Sequence, residues 1–309
     1  MLSRRIFVTT ALGAGAVLAT QGPHKAAAQA NRRLIVDAQV HLWKAESPDW
    51  KWVSGLQPQL PEPFTIERLV PMMDEAGVDR AVIVPPSWPG DRNDYALEAV
   101  KRYPTRFRVM GRIPLQDPKS ADLLPKWKEQ QGMLGVRVTF NNAQTIPWLT
   151  DGTASWFWAA AEKAELPVMC FAPARTSAFG RVAERYPALQ LILDHMGVTA
   201  AMVAENKLAE GIAATAALAK YSNVSVKVSA SPGLSRQPYP FRDVADHVKR
   251  VFDAYGPQRS YWGTDLTNSY AKASYRQRIT QFTEELPFLS EADKDLVMGR
   301  AIVARLKWP

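Results

Sequence analysis

The sequence predicts an α/β fold, a single (β/α)8 barrel of the TIM type with an extended loop after strand 1 and an extra C-terminal helix. Three observations carry that expectation. From residue 31 onward, short apolar runs rich in β-branched residues alternate with helical patterns, and the alternation can be followed through eight units. Polar, proline or glycine junctions separate the two kinds of segment, as parallel strands joined by crossover helices require. No G-x-G-x-x-G turn follows Val36, so a doubly wound open sheet lacks its phosphate-binding turn, and eight units in roughly 250 residues is the usual size of a closed barrel.

Taken in order, residues 1–30 read as a targeting segment. Arg4-Arg5 precede apolar Ile6-Phe7-Val8, a weakly apolar run reaches Thr20, and small residues around Ala28 and Ala30 offer a cleavage site. That pattern predicts export to the periplasm by the twin-arginine pathway, with the barrel occupying 31–309. The apolar run is shorter than the roughly 20 residues a membrane span needs. Strand 1 is expected at 33–39, and residues 43–63 form a loop over the barrel mouth, with Trp43, Trp50 and Trp52 making it too apolar for a linker. Further strands are expected near 80–85, 107–113, 134–140, 167–172, 189–194, 223–229 and 260–264. Helices are expected near 66–76, 92–102, 119–130, 153–165, 178–186, 203–220, 241–255 and 270–284. A last helix over 290–306 carries Leu296, Val297, Ile302, Val303 and Leu306, a face suited to packing on the outside of the barrel.

Charge narrows the function. The 38 basic and 30 acidic residues give +8, but Arg4, Arg5 and Lys25 belong to the acid-free leader, so the remaining chain is only mildly basic. No run of five like charges occurs, which argues against nucleic acid as a partner and for a small anionic substrate. Self-association is left open. The single cysteine, Cys170, permits no internal disulfide, so the exported chain relies on its core for stability.

Active sites of such barrels lie where strands end at their C-terminal face. Four predicted strand ends carry chemistry: Asp37/Gln39/His41, Arg137/Thr139, Asp194-His195 and Gly263-Thr264-Asp265. A period of two places Asp37, Gln39 and His41 on one side of strand 1, facing the axis. The other histidines are His24, in the leader, and His247, mid-helix in ADHVKRVF. Arg92, Arg175, Lys227 and Arg236 fall at strand or loop ends near the same mouth and suit a carboxylate substrate, while Trp43 and Trp88 could wall a ring.

VDAQVHLW, DEAGVDRAVIVPP, YALEAVKRYPTRFRVMGRI, GVRVTF, LILDHMG, NVSVKVS, YGPQRSYWGTD and VMGRAIVARL, in this order, resemble the amidohydrolase-related family across nearly all of 33–309. The family comprises metal-dependent hydrolases and decarboxylases, and lactonases of the pyrone-dicarboxylate type that work without metal. Its pattern is H-x-H at strand 1, a histidine after strand 5, another after strand 6 and an aspartate after strand 8. The resemblance maps these onto His41, His195 and Asp265, with Gln39 where the first histidine belongs and Phe171 where the fifth-strand histidine belongs. Zinc takes about four nitrogen, oxygen or sulfur ligands; Phe171 offers none and Gln39 only a neutral carbonyl oxygen. The expectation is therefore a metal-independent hydrolase acting on a lactone or ester of a small carboxylic acid. Asp265 serves as general base, His41 or His195 stabilises the oxyanion, Arg137 either supplies positive charge beside it or forms a structural salt bridge to Asp37 or Asp194, and Gln39, Trp43, Trp88, Arg92, Arg175, Lys227 and Arg236 contact substrate. Two rivals stand beside it. One is an amidohydrolase or decarboxylase with one divalent ion, zinc or manganese, on His41, His195, Asp265 and the Gln39 oxygen; the other is a barrel that binds a small acid without turning it over.

Overall fold

A computed structural model describes residues 32–309, and Leu34–Pro309 forms the barrel unit. The expected twin-arginine segment and cleavage site lie outside the described residues. The strands are β1 Val36–Val40, β2 Arg80–Ile83, β3 Phe107–Gly111, β4 Met133–Thr139, β5 Val168–Phe171, β6 Leu191–Leu193, β7 Val224–Lys227 and β8 Ser260–Tyr261. They pair in parallel in the order β1 to β8. Backbone hydrogen bonds from Ala38 N to Trp262 O and from Asp265 N to Gln39 O bridge the remaining seam between β8 and β1. The principal helices are α1 Ile66–Ala76, α2 Asp94–Arg102, α3 Ser155–Lys163, α4 Thr176–Arg185, α5 Leu208–Ala217, α6 Ala245–Tyr255 and α7 Tyr275–Thr283. Among the described residues, no helix is long and apolar enough to cross a membrane.

Several boundaries differ from expectation for local reasons. The helix expected over 119–130 is a run of 3-10 turns, Pro118–Glu129, because Pro125 cannot supply an interior N–H. The helix expected over 203–220 splits, with Asn206 in the left-handed region at φ 57° between Ala200–Ala204 and α5. The segment expected to begin a helix at 270 is a 3-10 stretch, Leu266–Lys272; α7 starts only where Ser274 and Gln277 form a capping box.

The last helix sits elsewhere than predicted. Glu291–Asp295, a π-turn at Leu296–Arg300 and Ala301–Arg305 follow one another without a break. Ala301, Ile302, Leu306 and Trp308 share one apolar cluster with Val36, Val82, Met110, Met169, Ile192 and Tyr261. These strand residues face the axis, so the helix floors the barrel at its N-terminal end instead of joining the outer ring. Reading upward with a period of two, Met169 and Ile192 in this floor lead to Phe171 and Asp194 in a polar layer above. Strand 1 breaks that period. Its register runs from Asp37↔Ala81 to Val40↔Ile83, three steps against two, the mark of a β-bulge. Asp37 therefore does not join the site. It turns away from the axis, accepting hydrogen bonds from the Thr264 amide and hydroxyl, the Tyr275 hydroxyl and the Gln39 amide, and so ties β1 to β8 and α7.

Candidate active site

Past the bulge, β1 directs Gln39 and His41 at the axis. His41 Nδ1 donates to Val84 O at 2.6 Å, which turns its Nε2 toward the centre. His195 Nδ1 lies 2.8 Å from Ser229 Oγ, and its Nε2 faces the same centre. Asp265 completes the group: Oδ1 is 3.1 Å from His41 Nε2 and Oδ2 is 3.5 Å from His195 Nε2. His195 at φ 53° and Asp265 at φ 45° both lie in the left-handed region, which costs a side-chain-bearing residue about 1–3 kcal/mol. Such strain persists only where surrounding structure enforces it, and His195 and Asp265 are two of nine non-glycine residues with positive φ among those described.

Gln39 occupies the middle. Its Oε1 accepts from Lys227 Nζ at 2.6 Å, and because an ammonium only donates, this bond fixes the amide's orientation. The NH2 group then lies 3.3 Å from His41 Nε2 and 3.1 Å from His195 Nε2, one amide hydrogen available to each lone pair. Lys227 Nζ is also 2.8 Å from Asp194 Oδ1, and Arg137 Nε is 3.2 Å from Asp194 Oδ2. One buried carboxylate thus holds two cations.

These placements order the protonation states. Burial pushes Asp194 up, yet Lys227 and Arg137 more than offset it and hold the carboxyl below its usual range. Burial acts on Asp265 in the same sense, and His195, His41 and Arg137 reverse it, so Asp265 stays ionised. Burial lowers His195 and keeps its ring neutral at pH 7. Burial also lowers Lys227, while Asp194 works to keep its proton.

Other expected contacts divide sharply. Phe171 faces inward, its ring 5.2 Å from that of His195 and 5.7 Å from the Arg137 guanidinium. Cys170, on the opposite face of β5, is buried in the apolar layer. Trp88 lies 6.5 Å from the His41 ring, whereas Trp43 is fully buried against Trp88 and Phe64. Gln39 and Lys227 are at the centre, where their polar atoms bond one another, the histidines and Asp194. Arg92 is exposed, paired with Asp94 and stacked on Trp50. Arg175 bonds the Ala174 carbonyl, and Arg236 bonds Val203 O and Asn206; both are exposed and stand apart from the histidine cluster. One residue absent from the expectations belongs here: Arg112, just past β3, which lines a cavity of about 240 Å³ together with Arg137, Thr139 and Asn141.

An eight-stranded barrel with two histidines and an aspartate converging at its strand ends defines a hydrolase of the amidohydrolase class. The chain belongs to that family: the amidohydrolase family model matches residues 36–302. It is similar to an L-fucono-1,5-lactonase of Burkholderia ambifaria, 24% identical over 234 residues, covering 74% of this chain and 79% of the relative. A 4-sulfomuconolactone hydrolase of Hydrogenophaga intermedia is 26% identical over 218 residues, covering 68% and 67%. Among solved structures, an amidohydrolase from Burkholderia multivorans with bound zinc shares the fold at TM-score 0.75 and 20% identity, over 89% of this chain and 100% of that one.

A metal ion would need the lone pairs of His41 Nε2 and His195 Nε2, and an oxygen of Asp265, to converge on one point with a fourth donor. Here the Gln39 NH2, a donor itself, faces both lone pairs, and Phe171 brings no donor from β5. Among the described residues, no group of three or more His, Cys, Asp or Glu is arranged to hold a metal. As arranged, these side chains do not fit the ion.

Proposed function

We propose that this hydrolase opens a lactone, or cleaves an ester, of a small carboxylic acid without a catalytic metal. The observation that carries the reading is Asp265, buried and held ionised, with Oδ1 3.1 Å from His41 Nε2 and Oδ2 3.5 Å from His195 Nε2. A carboxylate so placed can accept a proton from water. Water oxygen bonds to the ester carbonyl carbon as its proton passes to Asp265, where His41 Nε2 at 3.1 Å can share it. Arg137, held in the polar layer by Asp194, supplies positive charge to the oxyanion. The C–O bond to the ring oxygen then breaks, and the leaving alkoxide takes the proton back. An alkoxide leaves more readily than an amide nitrogen, so an ester tolerates the missing Lewis acid best. Both relatives named as lactone hydrolases support this substrate class. We propose further that the chain works in the periplasm, from the Arg4-Arg5 leader.

The test is hydrolysis of a panel of carboxylated lactones by the mature protein, with and without chelator, alongside elemental analysis. Turnover that survives chelation and falls about 10²-fold or more in Asp265→Asn is expected. Near-stoichiometric zinc or manganese with chelator-sensitive turnover would overturn it.

A further inference from the structure

The cavity beside Arg137 holds a second guanidinium with no partner for one of its nitrogens. Arg112 follows β3 directly, and Asn93 clamps its backbone from both sides: Arg112 N donates to Asn93 Oδ1 at 2.8 Å, and Asn93 Nδ2 donates to Arg112 O at 2.9 Å. That reciprocal pair fixes where the side chain starts. Its Nε reaches Asp91 Oδ1 at 3.3 Å, while Nη1 is buried and has no hydrogen-bond partner. The side chain is only 13% exposed. Burial, with the like charge of Arg137 adding to it and Asp91 opposing, pushes the guanidinium down to about 10. A buried unpaired donor on a charged group is costly, and the Asp91 carboxylate that shares the cavity reaches only Nε, leaving Nη1 unserved. A protein keeps such an arrangement where an anion relieves it.

We infer that the cavity lined by Arg112, Arg137, Thr139 and Asn141 is the docking subsite for a carboxylate on the substrate, remote from the bond that breaks, with Arg112 as its specificity-determining residue. The inference rests on the lactone reading, since it assigns the anionic group that reading leaves unplaced. A planar carboxylate suits the guanidinium fork, and the cavity's about 240 Å³ accommodates a short acid side arm. Arg137 then touches both ends of the substrate region: Asp194 anchors its Nε, and its remaining face lines the cavity. The preference that follows is for lactones bearing a carboxylate over uncharged ones of the same ring size.

The experiment compares wild type, Arg112→Met and Arg112→Lys in two assays. The first is the ratio of kcat/KM on a carboxylated γ-lactone to that on its uncharged counterpart. The second is calorimetric titration with glutarate, which needs no turnover; thermal melting confirms that each variant is folded. In Arg112→Met the ratio falls at least tenfold, mainly through KM, and glutarate affinity falls similarly. Arg112→Lys retains part of both, because it keeps the charge without the fork. An unchanged ratio and unchanged glutarate affinity in folded Arg112→Met would overturn the subsite. Arg112-dependent glutarate binding by a wild type that opens no lactone would instead overturn the hydrolytic reading and leave the subsite standing.

Discussion

Lys227 sits fully buried between the Gln39 amide, 2.6 Å away, and the Asp194 carboxylate, 2.8 Å away. Without those acceptors an ammonium in this interior would lose its proton, and without the ammonium the Gln39 amide could rotate and present oxygen to the histidines. Lys227→Met removes both constraints. Asp194 keeps Arg137 alone, and breaking such a buried pair costs about 3–5 kcal/mol. The expected outcome is a lower urea midpoint, with turnover lost beyond what the midpoint explains; a variant as stable and active as wild type would show that Gln39 is held by other means. The same bond separates what spacing revealed from what it hid. His41, His195 and Asp265 announced themselves as rare polar types at strand ends. The direction of the Gln39 amide depends on a lysine 188 positions along the chain, which no local pattern encodes. Arg112 was missed because, in GRIPL, it reads as one more loop arginine; only the clamp from Asn93 and the cavity distinguish it.

At the scale of elements, the floor helix shows how a correct segment can be wrongly docked. Its apolar face was plain, but an amphipathic face says nothing of which surface covers it. The π-turn at Leu296–Arg300 shifts the helix face by inserting a residue, and Gly299 lets the backbone press on strand 1, where an added Cβ would come within 2.5 Å of Leu34 O. Ile302, fully buried among axis-facing residues, is the matching test. Ile302→Ala leaves a cavity in the floor and is expected to cost about 2–5 kcal/mol, read as a lower denaturation midpoint. A helix on the outer ring could collapse around the loss, and a change below about 1 kcal/mol would argue for that position. The bulge in β1 was equally invisible, since period-two alternation assumes an unbroken ladder. Its consequence was specific: Asp37 left the expected trio and became the tie between β1, β8 and α7.

For the molecule as a whole, a polar layer buried in an otherwise apolar barrel makes stability depend on pH with a definite sign. The His195 pKa is lowered by burial, so the folded state prefers the neutral ring. Its contribution is complete above the unfolded value of about 6.5 and is lost as pH falls below it toward the folded value. Asp194 and Asp265 are also lowered, against burial, by the cations and imidazoles around them. Their contributions are complete above about 3.9 and disappear as pH falls through the folded values. Asp37 runs the other way: burial raises it despite four hydrogen bonds, so acidification returns some stability there. Since His195 is the group whose loss begins nearest neutrality, urea midpoints are expected to decline between pH 7.5 and 5.5, before the two lowered carboxylates engage. His195→Asn should flatten that decline while keeping the one below pH 4. A profile level from 7.5 to 5.5 that His195→Asn leaves unchanged would mean that His195 is not held neutral, even with the opposing contribution of Asp37.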